Sequence, residues 1–194
     1  MRTPIRGPES RGWDSFQQAI ARRLLDQTGH DLLWWNARVL AEGPADEAGL
    51  RVWLADQGVT GYPANLLARE RFGYPDWFTA SAQELIDGQY ADRATLRPIF
   101  EALVEAASGV GEVVVQARKT YVSLLTPRRT FARIQATTRT RVDLALRIDS
   151  ALIAGRLQPS KIHEHTPVQL SFTRAEEVDE EAVAWLARAW QANT

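Results

Sequence analysis

The 194-residue chain contains no cysteine. Disulfides, thiolate nucleophiles and cysteine-ligated zinc sites are therefore excluded. It has no run of about 18 apolar residues, so no transmembrane helix is expected. The opening MRTPIRGPES lacks the apolar stretch of a signal peptide and reads as a short flexible lead-in. The expected compartment is the cytoplasm. No G-x-G-x-x-G, Walker loop, G-x-S-x-G elbow or H-E-x-x-H is present, so the common cofactor and hydrolase signatures are missing. No cofactor and no metal site is expected. Lysine is scarce: only Lys119 and Lys161 occur, against 21 arginines. High-GC codon usage accounts for that number, so arginine count says nothing about a ligand, whereas arginine position does.

What is present is an uneven charge. The net value is −1, but residues 115–161 hold 10 basic and 2 acidic residues, a local excess of +8. Such an excess makes a positive potential that attracts anions. The acids of the second half gather in the final helix, where Glu176, Glu177, Asp179, Glu180 and Glu181 suit the positive end of the helix dipole.

The first part of the chain has helical periodicity. Ser10 is placed to cap a helix carrying Trp13, Phe16, Ile20 and Leu24, which ends at Gly29. Further helices are predicted from about Asp31 to Ala41, through Leu50, Trp53 and Leu54 to Gly58, and from Pro63 to Gly73. Trp35 shares the apolar stripe of its helix, and Trp34 is expected to be more exposed. His30 reads as a cap or turn residue. Ser81 and Glu84 form a capping-box pattern, and a helix follows over 93–108 with Pro98 in its first turn or at a kink.

After Gly109 the period changes from 3.6 to 2. Strands are predicted at 112–117, 120–126, 129–136, 140–148 and 166–172, with DSALIAGRLQPSKIHEH as a longer connection and a closing helix over 174–192. The expected fold is α+β: a helical N-terminal region over 1–76, then 77–194 as an antiparallel β-sheet flanked by helices, including a C-terminal helix.

Alternation sorts the strands into two faces. Val142, Leu144, Leu146 and Ile148 share one parity, while Arg141, Asp143 and Arg147 share the other. Strand 129–136 places Arg129, Phe131, Arg133 and Gln135 on one parity, and Tyr121 and Ser123 join them from 120–126. One face is therefore aliphatic. The other is expected to combine Tyr121, Arg129, Phe131, Arg133, Arg141, Asp143 and Arg147. A solvated sheet face explains this pattern as well as a ligand platform does. Guanidinium forks bind phosphate or carboxylate bidentately, and aromatic rings stack flat ligands.

His163-Glu164-His165 is the densest titratable cluster. A polar loop or strand edge accounts for it better than a metal site, because no third ligand is suggested by spacing. Asp143 and His165 are the candidates for proton transfer.

DQTGHDLLWWNARVLAEG followed by GYPANLLARE resembles a small helical bacterial domain of unknown function. RKTYVSLLTPRRTFARIQATTRTRVDLALRI, with EEVDEEAVAWLARAW, resembles a second uncharacterised domain that often follows the first. Together they cover Trp13 to Trp190. The most specific matches are Lys119-Thr120-Tyr121-Val122-Ser123, Phe131-Ala132, Val142-Asp143-Leu144 and the stretch from Glu177-Val178-Asp179 to Trp185. No assigned activity comes with the resemblance. Domains similar to the second are also attached to nuclease-like proteins, which implies association with nucleic acid. Two departures stand out. His30 occupies the place where the first domain usually has Lys after Thr-Gly. The spacing from His165 to Glu177-Val178-Asp179 differs from that of the second domain's histidine.

Three functions follow as expectations. The first is a binding module for an anionic ligand, with nucleic acid foremost, through the Arg and aromatic face. The second is an enzyme acting on a small sulfate-, phosphate- or carboxylate-bearing substrate in a pocket between the helical region and the sheet. The third is an adaptor for a protein partner.

Overall fold

A computed structural model describes residues 6–10 and 13–194. The chain divides into two compact units, one spanning Gly12–Thr79 and one combining Ala80–Thr194 with the N-terminal segment.

The first unit is all helix: α1 (Trp13–Thr28), α2 (Leu32–Glu42), α3 (Glu47–Asp56), α4 (Tyr62–Phe72) and the single turn α5 (Asp76–Thr79). Leu24, Trp35, Val39, Leu50, Leu54 and Leu67 close its core. The helix starts are set by side-chain caps. Asp31 accepts from the Trp34 amide and Asp46 from the Gly49 amide, each at 2.8 Å, which satisfies amides that an N-terminal turn leaves free. The two adjacent tryptophans diverge, as helical geometry requires: Trp35 is 2% exposed and Trp34 38%. The Trp35 indole N–H reaches Thr28 Oγ1 at 2.8 Å, and Thr28 in turn donates to the Leu24 carbonyl. The Arg38 guanidinium lies 5.4–5.5 Å from the Trp34, Trp35 and Trp53 rings, so this aromatic group already holds a cation of its own. His30 stacks on Trp34 at 3.7 Å, and its amide donates to Thr28 Oγ1.

The second unit is α+β. Its strands are β1 (Arg6–Ser10), β2 (Val114–Ala117), β3 (Val122–Leu125), β4 (Thr130–Gln135), β5 (Val142–Leu146), β6 (Gln158–His163) and β7 (Thr166–Phe172). They form one sheet in the order β1-β2-β3-β4-β5-β7-β6. β1 runs parallel to β2, and every other neighbouring pair is antiparallel. Helices α6 (Ala82–Tyr90), α7 (Arg97–Ser108) and α8 (Glu180–Gln191) complete it. Tyr90 packs on Phe100 at 5.5 Å between ring centroids, α7 touches α8, and α8 touches β4, so the three helices make a layer.

Two expectations change here. The lead-in is not featureless, because residues 6–10 pair with β2; residues 1–5 of it, and the Ser10 side-chain cap, lie outside the described residues. The long connection before residue 166 contains an edge strand, β6. Pro159 costs that strand little, since an edge strand leaves one side of its backbone without a ladder partner.

The other predicted features hold with shifted ends. Ser81 and Glu84 form a reciprocal capping box. Pro98 sits in the first turn of α7, where its missing N–H is harmless. The closing helix begins at Glu180 because Glu177 accepts from the Thr173 amide at 2.7 Å and closes a separate turn first, after which Asp179 caps α8. The far end of α8 is pinned by contact with Gly111. A Cβ built on Gly111 would lie 2.3 Å from the Trp190 ring, whose N–H donates to the Glu112 carbonyl at 3.1 Å.

Candidate functional site

The register turns sequence parity into cross-strand rows. Val115, Leu124, Ala132, Leu146 and Val168 are successive partners across β2, β3, β4, β5 and β7, and all are buried against the helix layer. On the opposite face the next row runs Gln116, Ser123, Arg133, Ala145, Gln169 and Gln158. One step along, Gln135 pairs with Asp143 and Asp143 with Ser171. This second face is where the candidate residues meet.

Arg133 is its centre. Its row neighbours Ser123 and Ala145 are small and buried, which leaves room for a guanidinium above them. The Arg133 guanidinium lies over the Tyr121 ring at 4.7 Å. Its Nε is buried and has no hydrogen-bond acceptor among the described residues. Among those residues no carboxylate lies within ion-pair distance of it. Positive charge accumulates around it. His163 on β6 is held below the ordinary histidine range by burial, then by the nearby charges of Arg133, His165 and Arg147, against a smaller opposing pull from Glu164. Arg129, whose Nε is also buried without an acceptor, is held below the ordinary arginine range by burial and by the neighbouring Arg128 and Arg147.

Asp143 has the opposite character. It is 1% exposed and fully engaged. Ser171 Oγ donates to it at 2.6 Å, Thr137 Oγ1 donates to it as well, and Arg141 Nε sits 3.0 Å from its carboxylate. A carboxylate with three donors is a structural node, and it fixes Arg141 at the rim of a concavity of about 570 Å³. Gln135, Gln158, Lys161 and Gln169 line the same concavity. A second, of about 270 Å³, adjoins it at Gln135 and is lined by Gln89, Arg93, Lys119 and Thr120. Arg93 is held there by the Ala136 and Thr138 carbonyls at 3.0 and 3.2 Å and by Asp92.

The structure therefore brings Tyr121, Arg133, Arg141 and Asp143 onto one face, with Arg147 within electrostatic reach of the same cluster through His163. Phe131 does not belong there. A bulge between Leu124 and Leu125 pairs Thr130 with Leu125 and Ala132 with Leu124, leaving Phe131 as the extra residue. The inserted residue reverses the alternation, and Phe131 is 0% exposed within the core. The same reversal removes Arg129 from the parity of Arg133; it stands in the β3–β4 turn, its amide donating to Thr126 Oγ1 at 3.1 Å.

His165 also stands apart. Glu164 and His165 form the turn between β6 and β7, His163 Nδ1 accepts from the His165 amide at 3.1 Å, and neither histidine lines the concavity at Asp143. Among the described residues no group of three or more His, Cys, Asp or Glu could hold a metal ion. No described helix is long and apolar enough to cross a membrane. The residues that sequence reading missed are Gln158, Lys161 and Arg93. The first two lie on the unrecognised edge strand, and the third was assigned only to a helix start.

A family model described as Domain of unknown function (DUF5655) matches residues 86–193. Comparison with curated proteins and with solved structures finds no match. The matched span is more than half of the chain and contains the end of α6, all of α7 and α8, and strands β2 to β7, and the chain belongs to the DUF5655 family.

Proposed function

We propose that the mixed α+β unit binds an anionic, phosphate-bearing ligand on the polar face of its sheet, with single-stranded nucleic acid as the first candidate. The observation that carries this is Arg133: a guanidinium on an aromatic ring with a buried Nε–H that the described chain leaves without an acceptor. Buried donors are nearly always paired, and a donor left unpaired costs about 1–3 kcal/mol. An oxyanion would supply both the acceptor and the countercharge, and hydrogen bonds between ions are the stronger kind. Tyr121 adds a ring against which a planar group can stack.

Binding is favoured over catalysis by the state of Asp143. Its oxygens are taken up by three donors of the chain itself. Acid–base chemistry on a small anion would need another group beside Arg133, and His165 sits at the hairpin turn.

The experiment is a fluorescence anisotropy titration of a labelled oligothymidylate, at low and at near-physiological salt, with inorganic phosphate as competitor. Saturable binding that weakens with salt and is lost in Arg133→Ala is expected. Arg133→Lys keeps the charge but not the fork and should restore only part of it. Binding by Arg133→Ala equal to wild type would refute the proposal.

A further inference from the structure

Cations stand both on the polar face and at the end of the sheet where α6 meets the β2–β3 turn, and the two places adjoin. The two concavities, of about 570 and 270 Å³, share Gln135 as a common wall. One holds Lys161 and Arg141 at its rim; the other holds Lys119 and Arg93. The sheet order puts these ends on different strands. The β2–β3 turn carries Lys119, β4 carries Gln135, β5 carries Asp143, and β6 beyond β7 carries Lys161. Crossing from β3 to β6 traverses four inter-strand steps, about 19 Å at the usual spacing.

We infer that the ligand is a single-stranded polynucleotide lying across the strands, from the β2–β3 turn to β6. This rests on the anion-binding reading above and extends it from one residue to a path across the sheet. A lone phosphate fits either concavity but cannot reach both ends. A chain with a charge on every residue meets Lys119 and Arg93 at one end, Arg133 near the middle, and Arg141 and Lys161 at the other. The lining between the cations suits bases. Gln135 and Gln158 line the larger concavity, and a side-chain amide both donates and accepts. Pro159 adds an apolar surface to the larger concavity, and Tyr121 carries its ring against the Arg133 guanidinium. Base edges and faces are available to such groups only when unpaired, so a single strand fits and a duplex does not.

The test uses the full chain with thymidine monophosphate and with oligothymidylates up to about ten residues long, within the site sizes usual for single-strand binders. Affinity should rise with length until the track is filled and then level off. The salt slope should be steeper for the oligomers, and Lys161→Ala and Lys119→Ala should each lower it by about 0.7. Both lysines are exposed, and unchanged thermal melting confirms that the variants fold. Equal affinity for the monophosphate and the oligomers, lost in Arg133→Ala, would overturn the extended track while leaving anion binding at Arg133 intact. Tighter binding of a duplex, or equal competition by polyglutamate of similar length, would overturn the polynucleotide assignment. Absence of binding by every anion would overturn both.

Discussion

Replacing Asp143 separates a structural carboxylate from a chemical one. Its side chain is 1% exposed, and it takes hydrogen bonds from Ser171 and Thr137 and an ion pair from Arg141. Asp143→Ala strips the acceptor from all three donors. A hydrogen bond to a charged group contributes about 1.5–3 kcal/mol, and removing one partner of a buried ion pair costs about 3–5 kcal/mol. The Arg141 side chain is 42% exposed and can be rehydrated in place, which argues for the lower part of that range. The expected loss is about 3 kcal/mol. With a urea dependence of about 2 kcal/mol per molar, the unfolding midpoint falls by about 1.5 M.

Urea unfolding, with amide exchange at β5 to localise the effect, measures it. Asp143→Asn keeps the shape and should cost less. It also frees the Arg141 charge, so phosphate and oligonucleotide should bind several-fold tighter than to wild type. A stability change within about 0.5 kcal/mol for the alanine variant, the level of ordinary surface substitutions, would refute the assignment of Asp143 as a structural node. Weaker anion binding in the asparagine variant would refute its role in neutralising Arg141.

Gly111→Ala should destabilise the α+β unit by about 1–3 kcal/mol, as overpacking does, because the new methyl meets the Trp190 ring; a urea midpoint equal to wild type would contradict that contact. Glu181 is held below its ordinary value of 4.5, first by the side-chain hydrogen bond from Arg156 and then by the Arg156 amide. A lowered carboxylate stabilises the fold above its unfolded value and loses that contribution as pH falls through its folded value. Acid unfolding curves of wild type and Arg156→Ala should therefore converge below pH 4.5 and separate above it, and a pH-independent gap would contradict the linkage. His163 is held low by burial and by Arg133, His165 and Arg147, so an anion that neutralises the arginines should raise its proton affinity. Binding should then take up a proton and weaken as pH rises through the range below the ordinary histidine value. Calorimetry in buffers of different ionisation enthalpy reads the uptake, and His163→Ala should abolish it.

Much of this fold was legible because short-range rules decide it. The alternation in Val142-Asp143-Leu144-Ala145-Leu146 places each side chain on the face it occupies, since a one-residue slip would bury Asp143 among the aliphatics. The Ser81 and Glu84 box lies within one turn of helix and needs no tertiary information. What could not be read depends on contacts distant in sequence. The bulge that removes Phe131 and Arg129 from the Arg133 face arises where β3 and β4 are fitted to each other, and neither strand alone shows it. β6 was hidden because none of its residues is buried, so no apolar alternation marks it, and its sequence Gln-Pro-Ser-Lys-Ile-His is mostly polar. The tie from Arg156 to Glu181 at 2.8 Å spans 25 positions, beyond any local motif.

The proposed anion site turns on one atom group, the Arg133 Nε–H. Nuclear magnetic resonance reports on it directly, through the guanidinium Nε–H signals followed during titration with an oligothymidylate and, separately, with inorganic phosphate. A saturable shift and slowed solvent exchange at Arg133 Nε–H are expected, with Arg38 Nε–H, bonded to Glu42 in the helical unit, unmoved. An Arg133 signal that stays fixed through saturation, or that moves no more than Arg38, would rule out anion binding at this group.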